Sequence, residues 1–238
     1  MPASPRHWVV FDGDNTLWET ERLYDEARDA LCRLIAGEVP GVPERDVAAF
    51  QRKRDHGLHA EMGYSQDRYP RSFRETAAHF LGLSHPRADE ARSLAESVFG
   101  AVARAAPQVD AVLATLSRSF RLALLTAGER SVQERRIADF GRSRFFDQMR
   151  IVSVKSAPVL NDFLAFCGAD VRTSWMVGDS LKSDILPANE IGMNSVWLEV
   201  ANWHEVEIAN LVAPRAVHVA RSLSEAAATI LGVSNGHE

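Results

Sequence analysis

A chain of 238 residues, 46% hydrophobic and 25% charged, has an ordinary globular composition and room for one large domain, or for a core carrying an inserted second one. Its net charge of −5 excludes a basic nucleic-acid-binding surface, and no apolar run approaches the roughly 18 residues of a membrane helix. Residues 1–5 lack the basic start and apolar stretch of a secretory signal, and Cys32 and Cys167, the only cysteines, have no metal-ligand spacing, so the expected setting is cytoplasmic, without nucleic-acid or membrane partners.

The apolar run Trp8-Val9-Val10 predicts a first strand over about residues 7–11, which leads directly into Asp12-Gly13-Asp14-Asn15-Thr16. Residues i and i+2 of an extended segment project to one side, so two carboxylates face one small volume, and Gly13 between them allows a tight turn. Like charges this close need a cation or a shared proton. The pattern points to a metal, to acid–base chemistry, or to both; an Asp-Gly turn closing the strand is the alternative. Residues 20–105 carry no clear strand signal. Leu23, Ala27, Leu31 and Leu34, then Phe73, Ala77, Phe80 and Leu81, then Leu94, Val98, Ala101 and Val102 recur at helical spacing,. With breaks at Pro40–Pro43 and Gly82–Pro86, they predict about four helices.

From Pro107 the pattern changes. A helix over Val109–Leu116 precedes the run Leu122–Leu125, closed by Thr126-Ala127-Gly128. Ile151–Val154 leads to Lys155, Trp175–Val177 leads to Gly178-Asp179, and a helix-like segment Asp184–Ile191 precedes Ser195–Leu198. Short apolar runs alternating with helices predict an α/β fold, a doubly wound Rossmann-like parallel sheet. Ligands of such sheets bind beyond the carboxyl ends of the strands, where these polar residues fall. The expected division is a core of residues 1–19 and 106–238 with an α-helical domain, 20–105, inserted between. Of 27 basic residues only Lys53, Lys155 and Lys182 are lysines, which makes Lys155 at a strand end conspicuous.

Singly, these signals are weak; in this order, each at a strand end of one sheet, they form a set. Asp12-Gly13-Asp14-Asn15-Thr16, Thr126, Lys155, and Gly178-Asp179 with Asp184 resemble the four motifs of the haloacid dehalogenase (HAD) superfamily, and specifically its phosphatase branch. That resemblance implies a phosphatase acting on a small soluble phosphate ester through an aspartyl-phosphate. Asp12 would be the nucleophile, and Asp14 the acid for the leaving oxygen and then the base for water. Mg²⁺ would be held by Asp12, the main-chain carbonyl of Asp14, and Asp179, with Asp184 orienting waters or the lysine. Thr126 and the backbone N–H groups of Ala127 and Gly128 would bind phosphoryl oxygens, and Lys155 would balance charge. True dehalogenases of the superfamily keep the first aspartate and lack the second, so Asp14 argues for phosphoryl transfer. Four converging carboxylates and one lysine leave a local charge of roughly −3, which a divalent cation relieves.

Transfer to another acceptor, as in phosphomutases, and a non-catalytic module using the same acidic pocket are the alternative readings. The helical insertion resembles the cap of one HAD subgroup, which implies gating of the pocket and recognition of the substrate away from phosphorus. Between helices, His56–Tyr64 is a candidate pocket border, and Arg68 and Arg71 are either partners for a second anionic group or solvated helix residues. Arg52, Lys53, Arg54 and Asp55 read as a solvated helix face, Lys182 as a surface residue, and Trp18 as packing or as part of the entrance. Pro158, three residues after Lys155, fits a first helical turn. Trp203-His204-Glu205 reads as a lid over the sheet edge, and residues 234–238 as a frayed tail. A monomer or homodimer is expected.

Overall fold

Trp8, Val9, Val10 and Phe11 are all buried, because strand β1 (His7–Phe11) has neighbours on both sides and layers on both faces. Such a central parallel strand has no solvent face and so shows no polar alternation. Each of its large apolar side chains contributes about 1.5–3 kcal/mol by leaving water, which anchors the segment ahead of Asp12. The computed structural model describes residues 7–199 and 218–235. The chain forms two compact units, one of residues 1–19 and 104–238 and one of residues 20–103, so the division falls two residues before the expected boundary.

The first unit is built on a six-stranded parallel sheet. Its strands are β1, β4 (Phe120–Ala127), β5 (Gln148–Val152), β6 (Trp175–Gly178), β7 (Asn194–Leu198) and β8 (His218–Ala220). Their order is β5-β4-β1-β6-β7-β8. The chain winds outward from β1 through β4 to β5, then returns to the other side of β1 as β6, so the winding reverses between β1 and β6. That is where doubly wound sheets bind ligands. One face carries a core of Trp8, Val10, Ala123, Leu125, Phe163, Leu164 and Met176, with α7 (Ala157–Cys167) and α8 (Leu186–Glu190) packed together beside it. The helix α5 (Val109–Leu116) packs on β4, and α9 (Leu223–Asn235) on β7, β8 and α5. The helix α6 (Arg130–Phe140) packs against β5. Where the chain leaves and re-enters this unit, β2 (Trp18–Glu19) and β3 (Arg104–Ala105) pair antiparallel.

Two expected elements shift. The strand expected at 151–154 ends at Val152, and Val154 is 53% exposed, so Lys155 extends from a loop instead of a strand tip. The helix expected over 184–191 is split: residues Leu181–Ile185 form a π turn, and α8 follows.

The second unit consists of helices α1 (Glu21–Glu38), α2 (Glu44–Met62), α3 (Arg68–Leu81) and α4 (Ala88–Gly100). Leu31, Ile35, Val47, Phe73, Ala77, Ala91 and Ala95 are fully buried in its core, the alanines permitting close approach of α3 and α4. Ala101 and Val102 lie beyond α4, and Val102 is exposed. His56–Met62 belong to α2, so that stretch is helix and not an inter-helix border. Lys53 is exposed, but Asp55 is buried, paired with Arg68 at 2.5 Å; it is not part of a solvated face. Arg71 pairs with Glu75 at 2.9 Å. Among the described residues no helix is long and apolar enough to cross a membrane. Trp203-His204-Glu205 lies outside the described residues, as does most of the expected frayed tail; Ser234 and Asn235 end α9.

Candidate active site

The backbone of Asp12 is still held by the sheet, its N–H donating to Val177 O at 2.9 Å, while its side chain passes the carboxyl edge and stays buried. The chain then turns at once. Gly13 O accepts from the N–H groups of Thr16, Leu17 and Trp18 at 2.8–3.2 Å. Asn15 takes a left-handed φ of 57°, a conformation asparagine tolerates better than most residues. Gly13 is required sterically, because a Cβ there would stand 2.3 Å from the Trp18 indole and 3.1 Å from Thr126 Oγ1.

Two connections, β5–α7 and β6–α8, bring their groups to Asp12. Lys155 is buried just ahead of α7, with Pro158 in that helix's first turn. Its Nζ donates to Asp12 Oδ1 at 2.5 Å and also to Asp184 Oδ1. Asp179 follows β6, and its carbonyl accepts from Trp197 Nε1 at 2.8 Å. Asp184 is fully buried on the π turn, a local distortion frequent at functional positions. Its Oδ2 accepts from Ser180 N at 3.1 Å. Gly178 makes room for this carboxylate, since a Cβ there would lie 2.3 Å from Asp184 Oδ2. Gly178→Ala should therefore cost about 1–3 kcal/mol of stability as an overpacked site and, by displacing Asp184, weaken divalent-cation binding about tenfold or more. Thermal unfolding with and without the cation reads both; an unchanged midpoint and affinity would remove Asp184 from the site.

Asp12, Asp179 and Asp184 can each present one oxygen, all within 4.8 Å of one another. No other such group of acids, histidines or cysteines occurs among the described residues. Burial raises Asp12 to about 7, opposed by the Lys155 ammonium and reinforced by the Asp184 and Asp14 carboxylates. Burial, with the charges of Asp12 and Asp184, also pushes Asp179 well above the usual range. Burial alone would lower Lys155; Asp12 and Asp184 outweigh that and raise it, so it stays an ammonium. A cluster that must take up protons when no cation is bound is suited to hold one.

The fourth carboxylate does not join this group. Asp14 Oδ1 accepts from Trp18 Nε1 at 2.6 Å, and Oδ2 accepts from Gln133 Nε2 at 2.9 Å and Arg136 Nη1 at 2.6 Å. The expected convergence of four carboxylates is thus three around Lys155, with Asp14 turned to a separate cradle and its charge balanced by Arg136. Thr126 is buried, its Oγ1 donating to Gln133 Oε1 at 3.2 Å. Ala127 pairs with Val152 in the sheet. Gly128 N donates to Val152 O at 3.0 Å, so in this conformation it offers no donor to a phosphoryl group. Lys182 is exposed. Trp18 packs on Phe140 and also bonds Asp14. Gln133 and Arg136 lie outside the motifs; their only sequence signal is a three-residue spacing on one helix face just after Gly128.

The fold is shared with solved structures of low sequence identity. A haloacid dehalogenase-like family hydrolase from Xanthomonas campestris superposes with a TM-score of 0.78 at 20% identity, over 98% of this chain and 99% of that one. The putative HAD-hydrolase YfnB from Bacillus subtilis, solved bound to magnesium, gives 0.67 at 17%, over 96% and 100%. An L-2-haloacid dehalogenase from Xanthobacter autotrophicus, with chloropropionic acid covalently bound, gives 0.61 at 18%, over 95% and 99%. Dehalogenases and a phosphatase both occur among the similar structures. No curated protein matches the chain. The family model for haloacid dehalogenase-like hydrolases matches residues 7–192, and the chain belongs to that family.

Proposed function

We propose that the protein is a Mg²⁺-dependent phosphatase that hydrolyses a small phosphomonoester through an aspartyl-phosphate on Asp12. The observation that carries this reading is Asp14, a second carboxylate two residues after Asp12 on the same turn. Halide leaves carbon as a stable anion and needs no proton, so a dehalogenase has no use for an acid beside its nucleophile. An alcohol leaving phosphorus does need one.

An all-carboxylate donor set suits a hard divalent cation. Asp12 and Asp179 would hold Mg²⁺, with the main-chain carbonyl of Asp14, and Asp184 would lie beside or within that set; bound there, the ion supplies neutralisation of the phosphoryl charge. In the first step an Asp12 oxygen bonds to phosphorus as the ester oxygen departs, and Asp14, which enters the step carrying the proton it takes from water at the end of each cycle, delivers the proton that oxygen needs. In the second, water attacks the aspartyl-phosphate, Asp14 takes its proton, and Asp12 leaves as carboxylate with phosphate released. Lys155, fixed between Asp12 and Asp184, keeps a positive charge beside the reacting carboxylate throughout.

The test compares release of phosphate from 4-nitrophenyl phosphate with release of chloride from L-2-chloropropionate, each in Mg²⁺ and in excess EDTA. Phosphate release only with Mg²⁺, and no chloride, is expected. Chloride release, or phosphate release indifferent to EDTA, would overturn the proposal.

A further inference from the structure

Asp14 sits in the turn between β1 and β2, where it makes a single isolated bridge to Trp18, yet both of its oxygens are occupied. The three donors come from two places in the chain. Trp18 is on β2, while Gln133 and Arg136 are on α6, 119 and 122 residues away in sequence. Gln133 is itself fixed, accepting from Thr126 Oγ1 and donating a further contact to Ala127 O at 3.3 Å. Arg136 is the costly member. Its side chain is only 4% exposed against 28% for Asp14, and burying a guanidinium costs several kcal/mol unless its partner is well placed. An apolar residue would serve this helix face at least as well if stability were the only demand. What Arg136 adds is a charged donor, its Nη1 held at 2.6 Å from Asp14 Oδ2.

We propose that Arg136 is a positioning residue: with Gln133 and Trp18 it sets where the Asp14 carboxylate stands relative to Asp12, and so governs proton delivery to the leaving oxygen. The inference rests on the phosphatase reading for its kinetic consequence, but not for its geometric one. Misplacing a reacting group by about 1 Å costs on the order of 10²-fold in rate, and loss of general acid catalysis about 10²–10⁴-fold. The loss falls on esters whose leaving group needs the proton. A merely structural arginine would lower activity on all esters alike.

The experiment uses Arg136→Met, which keeps volume and removes the charge, and Arg136→Lys, which keeps the charge. First, kcat/KM is measured for phenyl phosphate and for 4-nitrophenyl phosphate, which have similar shape but leaving groups of different acidity. Arg136→Met should lose about 10²-fold on phenyl phosphate and less than about fivefold on 4-nitrophenyl phosphate, with Arg136→Lys recovering part of the difference. Second, the Trp18 indole N–H resonance, assigned with Trp18→Phe, reports Asp14 directly. Arg136→Met should move it in the same direction as Asp14→Asn. Equal losses on both esters, or an unmoved Trp18 resonance, overturn the proposal. If Arg136→Met fails to fold, Arg136→Gln takes its place with the same criteria. A moved resonance in a protein inactive on both esters would uphold the positioning of Asp14 and sink the phosphatase reading alone.

Discussion

Asp12→Asn will lower Mg²⁺-dependent hydrolysis of 4-nitrophenyl phosphate by about 10⁴-fold or more, the scale on which removal of a covalent nucleophile acts, while leaving the fold as stable or more so. The amide keeps the size and planarity of the carboxylate but cannot attack phosphorus. Its oxygen can still accept from Lys155 Nζ, which also retains Asp184, and its nitrogen can donate toward the remaining carboxylates. One negative charge leaves a cluster of three carboxylates and one ammonium, relieving the Asp12 repulsion that adds to burial in pushing Asp179 up. Activity in Mg²⁺ and the thermal midpoint in EDTA should therefore move in opposite directions, as when a strained functional site is neutralised. Acid quenching during turnover should trap phosphate on the wild type and none on the variant. Metal-dependent turnover above about 1% of wild type would mean that another group attacks, against the scale expected for the nucleophile.

The aspartates were legible because each motif is local and ends a strand that reads plainly. Residues 8–11, 122–125 and 175–177 are continuous apolar runs, the mark of strands buried on both faces, and all three lie in the sheet's interior. The edge strand β5 was harder. Gln148, Met149 and Arg150 face neighbours on one side only, so the apolar signal drew the strand to 151–154, starting three residues late and ending two residues late. The long α2 carries His56, Gly57 and His59 and has a weak apolar stripe, so its last turns read as a loop. Arg136 was not legible at all. In a chain whose basic residues are nearly all arginine, a buried arginine looks like its solvated neighbours, and its partner Asp14 is 122 residues away. Asp55 is the same case: it sits in a charged run, yet lies inside the bundle against Arg68.

In EDTA the acidic cluster will cost the protein stability as pH rises from about 4 to about 7, a window set by the usual and shifted values of Asp12,, and Mg²⁺ will reverse the loss most strongly at the upper end. The sign follows from Asp12, raised from 3.8 to about 7, and from Asp179, raised well above 3.8. Between the unfolded and folded values the folded state holds protons that the unfolded chain has released, so stability falls with rising pH. The contribution is complete below the unfolded pKa and gone once pH passes the folded one. Lys155, also raised, keeps its charge throughout and adds no slope here. Each pKa unit is worth about 1.4 kcal/mol, or roughly 3–5 °C in a chain of this size. A bound cation requires the ionised carboxylates, so its stabilisation, which grows as the logarithm of its concentration over Kd, must grow as those protons leave. The gap in thermal midpoint between Mg²⁺ and EDTA should accordingly widen from pH 5 to pH 8 and shrink in Asp179→Asn. A gap that is the same at both pH values would detach the metal from these carboxylates, because occupying the site and emptying it of protons are one event.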